Sequence, residues 1–512
     1  METRRHVLYN TSIADPFLTV ARILQEEDGF EPVYWIGFNY DHSVRSVPEA
    51  FPGIVYQSYQ EAWRGIFSPE IEKRAAEISL DVDLLKALSP YQLQAYTMMN
   101  RMDFDRSSFN VMERERHYLH LLRCWLAALE MYKVDLVISS VQPHRVYDYV
   151  LYLLCKQRGI PFLSFLNTMA VERVFAVNDI FSIGDIFDAD YQRYRQQDLS
   201  PDNLPEEIRR EYFRVQKDYS VAAPSYMARH KSHAKKLDNP VTRLWRYTKK
   251  YFRKKADSDN GNRGVQHSML KNPGRPLTDG SLSPWWFYRT RLSGVRYQKK
   301  LKKLYDSLST EPVPGEKYIF LPLHYQPEAT TSPAGDIYVN QYLMVQTLLK
   351  NTPSDYHIYV KEHPQQLQSH TLGFTSRIPE FYQDLAACDR VRLMPLSWDS
   401  YRIMKDAAAV ATVTGTVGWE TIMHHIPVLV FGLTWYERCP GVLRITDEAS
   451  AATIPAFIEG FRFDENALLA YLLSFADHSV CAYHYNGRKK YFSISEEECA
   501  RRLIQVIKHY LS

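Results

Sequence analysis

Short apolar runs alternate with amphipathic stretches through most of the chain. Near the N-terminus, "HVLY" (6–9) and "PVYWIGF" (32–38) read as strands around a helical "PFLTVARILQEE". Tyr118, Leu122, Trp125 and Leu129 then recur at helical spacing, followed by a short buried strand, "VDLVISS" (134–140). "DYVLYLLCKQRG" predicts a helix closed by Gly159, and "IPFLSF" the next strand. Strands that are apolar throughout, alternating with helices, predict βαβ units and a parallel sheet covered on both faces.

The rhythm breaks between about 200 and 310 and returns more clearly from 316. "KYIFLPL", "HIYVKEHP", "VRLMPL", "AAVATVTG" and "PVLVFG" are five strand candidates. The helical stretches "NQYLMVQTLLK", "IPEFYQDLAAC", "SYRIMKDA" and "WETIMHH" lie between them, and a closing helix "SEEECARRLIQVIKHYL" starts at the N-cap Ser495. The predicted fold class is α/β, with two Rossmann-like doubly wound domains and a basic helical insertion near their junction. The expected boundaries are a first domain over 1–200, the insertion over 201–312, a second domain over 313–490 and the closing helix over 491–512.

Composition changes this picture little. A chain of 512 residues exceeds one ordinary core. Its 62 basic and 59 acidic residues leave no overall bias toward nucleic acid or any other polyanion. The distribution of charge is more informative. Between Arg229 and Lys255 there are eleven Lys or Arg against one acid, Asp238, interleaved with Trp245, Tyr247, Tyr251 and Phe252. Such a stretch suits an anionic membrane surface, or is a solvated basic helix. The six cysteines are scattered with no CxxC or Cys/His metal spacing, and the N-terminus lacks the apolar core of a signal peptide. The expectation is a cytoplasmic protein, or one peripheral on the inner face of the cytoplasmic membrane.

Ligands of open parallel sheets bind beyond the carboxyl ends of the strands, and several unusual loops occupy that position. "HYQPEATTSP" (324–333) follows a strand and presents His324, Gln326 and Glu328 beside three hydroxyl residues. "VTGTVGWE" runs through Gly415 and Gly418 into a helix. Its first amides, with Thr414 and Thr416, can face a phosphate, and Glu420 can accept from a ribose; a plain Gly-rich connection is the alternative. "YVKEHP" puts Lys361 and His363 on one side of the chain, where either can meet a phosphate or leaving group, unless His363 is merely held by Pro364. In the first domain, "PHRVYD" sets His144 and Arg145 at a strand end facing the cleft, or simply starts a helix. Trp435 and Tyr436 can stack on a base or sugar, or pack in the core.

These residues carry a resemblance. The two-domain pattern resembles GT-B glycosyltransferases. The 316–445 region is similar to bacterial capsule polysaccharide biosynthesis proteins, the group that includes retaining β-Kdo transferases. The family's Q-x-D-x-x-I motif, whose Asp is catalytic, is matched by Gln326, Glu328 and Thr331, with Glu in place of Asp and Thr in place of Ile. Its His-Pro motif is matched by His363 and Pro364, and its Ser/Thr-Gly loop by Thr414, Gly415 and Thr416.

The resemblance implies a metal-independent transferase with Glu328 and His363 catalytic. Gln326, Lys361, Thr414, Gly415, Thr416, Gly418 and Glu420 would contact the donor. His144, Arg145, His324, Trp435 and Tyr436 are further candidate contacts. The implied donor is a nucleotide sugar, CMP-linked Kdo or a related keto-sugar acid, and the acceptor a glycan or lipid-linked glycan; no metal or other cofactor is implied. No D-x-D stands at a credible strand end; the one at 81–83 lies in a predicted helical stretch. Two other classes share the architecture: a nucleotide-sugar 2-epimerase, and a non-catalytic carbohydrate-binding assembly subunit.

Overall fold

The computed structural model describes residues 5–10, 14–38, 43–103, 109–168, 173–217, 245, 284–328, 330–368, 371, 373–485 and 489–511. Apart from Trp245, the basic stretch 229–255 lies outside them. Of the expected insertion, the helices Glu206–Lys217 and Pro284–Leu308 are described. Among the described residues no helix is long and apolar enough to cross a membrane.

Two mostly parallel six-stranded sheets with flanking helices make up the α/β fold. The first contains β1 (Arg5–Asn10), β2 (Phe30–Gly37), β3 (Val55–Ser58), β4 (Leu136–Ser139), β5 (Phe162–Asn167) and β6 (Val174–Val177), in the order β3-β2-β1-β4-β5-β6. Only β6 runs antiparallel, against β5. The second contains β7 (Lys317–Pro322), β8 (Tyr356–Lys361), β9 (Val391–Leu393), β10 (Ala409–Thr412), β11 (Val428–Val430) and β12 (Val442–Arg444), in the order β12-β11-β10-β7-β8-β9. All its pairs are parallel, with Ile319 opposite Ile358 and Val410 opposite Phe320.

The apolar runs become buried strands because both faces are covered. On the first sheet, the helices Val111–Met131 and Val146–Arg158 cover one face. The helices Ala14–Asp28 and Glu496–Leu511 cover the other. The last of these buries Cys499, Ala500, Leu503, Ile504 and Ile507, spacings of one, three and four that make a single apolar stripe. On the second sheet, Leu301, Tyr305, Met344, Leu348 and Tyr382 pack on one face, and Ile403 and Met404 on the other.

A continuous apolar junction links the two sheets. Phe475, from the helix Glu465–Asp477, meets Phe175 and Phe187 with ring centroids 5.9 and 5.7 Å apart. The Gly184 amide donates to Glu437 Oε1 at 3.0 Å.

The order of the second sheet matters most for the site. From β7 the chain proceeds to β8 and β9 on one side, then to β10, β11 and β12 on the other. Between β7 and β10 two successive crossovers diverge, which leaves a crevice at their carboxyl ends. The corresponding point in the first sheet lies between β1 and β4.

Candidate functional site at the carboxyl ends of the second sheet

The crevice between β7 and β10 is built from the loops that follow them. Thr414 Oγ1 donates to the Thr330 carbonyl at 2.8 Å, which ties the two loops together. Thr412 Oγ1, at the end of β10, accepts from the Gly415 amide at 3.1 Å and lies 3.1 Å from His324 Nε2. The hydroxyl proton therefore goes to His324 Nε2, which also accepts from the Thr414 amide at 3.4 Å. A neutral imidazole with Nδ1 protonated satisfies this set. His324 is thus a brace across the crevice.

The loop after β7 is pinned from beneath. The Gln326 amide donates to Gln366 Oε1 at 2.7 Å, and Gln366 Nε2 returns a bond to the Gln326 carbonyl at 3.0 Å. Gln326 Nε2 reaches Thr331 Oγ1 at 2.5 Å. Gln326 is buried and positions the loop. Glu328 is half-buried, hydrogen bonded by the Thr330 side chain, and makes no ion pair among the described residues. Burial pushes its carboxyl above the usual range; the Thr330 bond and the Arg101 charge act in the opposite direction.

Arg101 belongs to the first domain, so Glu328 faces a basic group across the cleft. Both Arg101 and Arg145 lie over Trp63, at 5.9 and 5.5 Å from the ring centroid, and Arg145 also lies over Tyr59 at 4.6 Å. Arg101 Nη2 and Arg145 Nη1 are buried without a hydrogen-bond partner among the described residues. Desolvation, then the neighbouring Arg145, lower Arg101 to about 10. Asp148 accepts from the amides of His144 and Arg145 at 3.1 and 2.7 Å, and burial raises its carboxyl to about 7. His144 Nδ1 donates to the Gln142 carbonyl at 2.7 Å, leaving Nε2 an acceptor; burial holds the ring well below the usual value, hence neutral.

After β8, His363 Nδ1 accepts from the Gln365 amide at 3.2 Å. Its Nε2 therefore carries the proton in the neutral ring and can donate to an oxygen. Burial lowers His363 to about 4, so at neutral pH it meets a phosphate or leaving group as a neutral donor and not as a cation. Lys361 is only 5% exposed and its Nζ donates to Ser400 Oγ at 3.0 Å, a contact with the adjoining helix Ser400–Lys405.

Beneath this rim lies a network that the sequence reading missed. The Glu362 carboxylate accepts from Arg377 Nε at 2.8 Å, from the Tyr382 hydroxyl at 2.7 Å and from the His363 amide at 2.7 Å. Arg377 Nη2 in turn donates to the His324 carbonyl at 3.3 Å. Alternation offered a signal: an acid one residue before His363 must point away from the rim and into the domain. Arg101, in "MNRMDF", stands in no recognisable pattern.

The Gly-rich loop enters the short helix Thr416–Ile422 as expected, but its glycines serve another purpose than a positive φ. Neither Gly415 nor Gly418 has one. A Cβ on Gly418 would lie 2.5 Å from the Tyr436 hydroxyl, and one on Gly415 2.8 Å from Thr412 Oγ1. Close approach requires them. The helix start leaves the first amides, those of Thr416 and Val417, without intrahelical acceptors.

Three candidate contacts fall elsewhere. Glu420 is 4% exposed, hydrogen bonded by the Thr416 and Tyr401 side chains, and raised to about 7 by burial, so it supports the loop from inside and offers no open ribose acceptor. Trp435 is 8% exposed and packs on Trp419 and Phe475 at 4.7 and 4.9 Å. Tyr436 is buried with its hydroxyl on the Gly415 carbonyl. Both aromatics follow the core-packing alternative.

The neutral imidazoles make a pH prediction. His117 and His324 are lowered to about 3 and His363 to about 4, each chiefly by burial. The unfolded chain takes up these protons near pH 6.5, well before the folded one does. Their contribution is complete above 6.5 and is lost as pH falls from there through the folded values of about 4 and 3. The raised carboxyls of Asp148 and Glu420 act in the opposite sense over this range, so the effect is read by difference. Between pH 6.5 and 4 the thermal midpoint of His117→Phe should fall less, or rise more, than that of wild type in scanning calorimetry, and parallel profiles contradict the assignment.

Residues 332–473 match the family described as capsule polysaccharide biosynthesis protein; Glu328 stands just before that segment. No curated protein matches the chain. Among solved structures, the β-Kdo 2,7 transferase KpsC of Thermosulfurimonas dismutans is 18% identical over 42% of this chain and 62% of that one, with a TM-score of 0.24. The chain therefore spans less than two thirds of that relative. A UDP-GlcNAc 2-epimerase of Methanocaldococcus jannaschii is 10% identical over 99% of both chains, with a TM-score of 0.24. A glycosyltransferase of Rickettsia africae is 11% identical over 100% of this chain and 99% of that one, also at 0.24. The likeness to the capsule polysaccharide biosynthesis protein family is carried by residues 332–473, the greater part of the second sheet domain.

Proposed function

We propose that the protein is a glycosyltransferase of bacterial surface polysaccharide synthesis that moves a keto-sugar acid such as Kdo from a CMP-linked donor to a glycan or lipid-linked acceptor. The observation that carries this reading is Glu328: a carboxylate without an ion-pair partner among the described residues, set at the switch point of a sheet domain that matches the capsule family.

In the proposed reaction a Glu328 oxygen bonds to the anomeric carbon as the bond to the nucleotide phosphate breaks, and the electron pair leaves on the phosphate oxygen. His363 Nε2–H and the first amides of the helix Thr416–Ile422 stabilise that oxygen. The acceptor hydroxyl then displaces Glu328, its proton passing to the released phosphate, and configuration is retained. Arg101 and Arg145, across the cleft, balance the acid group of the sugar.

The test uses the full chain. Thermal shift against CMP, UDP, GDP and TDP should single out CMP, and incubation with CMP-Kdo should release CMP. Arg101→Ala should slow that release at least about tenfold, more than Arg209→Ala, an exposed arginine outside the cleft. Interconversion of UDP-GlcNAc with its 2-epimer would assign the epimerase class instead. Silence with every nucleotide sugar would assign a non-catalytic role.

A further inference from the structure

Away from the cleft, three side chains of different chemistry converge in the first domain. His120 and Cys124 stand one turn apart on the helix Val111–Met131, on the same side. Glu72 comes from the adjacent helix Pro69–Glu77. Cys124 Sγ lies 3.6 Å from His120 Nε2 and 4.0 Å from Glu72 Oε2, and His120 Nε2 lies 3.6 Å from Glu72 Oε1. The three ligand atoms fall within 4.8 Å of one another. The Gly65 carbonyl lies beside this group, 2.8 Å from His120 Nε2.

We propose that Glu72, His120 and Cys124 bind a divalent transition-metal ion of the zinc class, with the Gly65 carbonyl or a water completing four donors. Donors held about 2.0–2.3 Å from a tetrahedral ion lie roughly 3.3–3.8 Å apart, close to the 3.6, 3.6 and 4.0 Å among the three side chains; the Gly65 carbonyl, now hydrogen bonded to His120 Nε2 at 2.8 Å, has to move outward to join them. One thiolate, one imidazole and one carboxylate suit zinc or cobalt and offer too few oxygens for calcium or magnesium. On binding, the ion replaces the thiol proton of Cys124 and the proton that His120 Nε2 otherwise shares with Gly65; one proton leaves from sulfur, and the imidazole proton moves to Nδ1.

The placement gives the ion a structural task. Gly65 ends the helix Tyr59–Arg64 in a left-handed conformation, and His117 Nε2 meets the Trp63 carbonyl at 3.1 Å. Tyr59 and Trp63 on that helix underlie Arg145. An ion joining Glu72, His120 and Cys124 fastens the end of this helix to the two behind it. The inference is independent of the transferase reading.

The experiment is a Co²⁺ titration of the full chain after treatment with a chelator. The expected result is one equivalent bound, with a thiolate-to-cobalt charge-transfer band that stoichiometric Zn²⁺ abolishes. Cys124→Ser should remove the band, and Cys388→Ser, a thiol in the other domain, should keep it. His120→Ala and Glu72→Gln, at partly exposed positions that tolerate replacement, should each weaken Co²⁺ at least about tenfold even if Cys124→Ser does not fold. No thiolate band, a band surviving in folded Cys124→Ser, or unchanged affinity in both other variants would overturn the proposal.

Discussion

Glu328→Gln is expected to lower sugar transfer by about 10²-fold or more while leaving nucleotide affinity within a few-fold of wild type. The amide keeps the shape of the side chain and its bond from Thr330, but it cannot attack carbon or carry the balancing charge. Stability should change in the opposite sense. Burial raises the Glu328 carboxyl above 4.5, so the folded state holds that proton more tightly than the unfolded chain does. The ionised group therefore costs stability, a cost absent below the ordinary carboxylate value and complete above the raised one. Gln removes it. The variant should be as stable as wild type or more so at pH 7, with no gain near pH 4. Loss of transfer together with loss of stability would mean that Glu328 is a structural residue. A glycosyl adduct on Glu328, seen by mass spectrometry after mixing with donor, would establish direct attack.

The largest effect on stability should come from Glu362→Ala, expected to cost about 3–5 kcal/mol. The replacement strands the Arg377 guanidinium, only 5% exposed, and leaves the Tyr382 hydroxyl and the His363 amide without their shared acceptor. The cost is that of an uncompensated buried charge rather than of a lost attraction. The pair Glu362→Gln with Arg377→Met should recover much of it, since neither residue then carries a charge to be matched. Urea denaturation of the three proteins decides the point. Equal midpoints for wild type and Glu362→Ala would show that the network does not hold the rim.

What could be read from the sequence divides along physical lines. Long apolar runs announced nine of the strands and the helices between them, because a buried parallel strand leaves a continuous apolar signature. β3, β6 and β12 did not show: β3 and β12 are short and only partly buried, and β6 is a four-residue antiparallel strand at the sheet edge, outside the βαβ rhythm. The crevice loops were legible because prolines, glycines and polar side chains beyond a strand end have few uses. The roles within them were less so. Glu420 and Tyr436 look like ligands in one dimension and prove to be the floor of the loop, since which way a side chain turns at a helix start depends on what packs against it. Arg101 could not be found at all, because its significance comes from a residue more than two hundred positions away.

The helix Glu496–Leu511, which follows the second sheet in sequence, packs on the first sheet. Its Arg501 and Lys508 pair with Glu27 and Asp28 at 3.1 and 2.8 Å, and Thr19 donates to Glu496 at 2.8 Å. On the ribosome this order has a cost. The helix Ala14–Asp28 covers part of the same face of the first sheet at once, but the rest waits until residues 496–511 are made, after the whole second sheet, so the usual sequence in which one domain completes its folding while the next is synthesised is denied to it. For most of its synthesis the nascent chain carries an open apolar surface around Phe17, Leu24 and Ile138. The two halves of the molecule therefore complete their folding together.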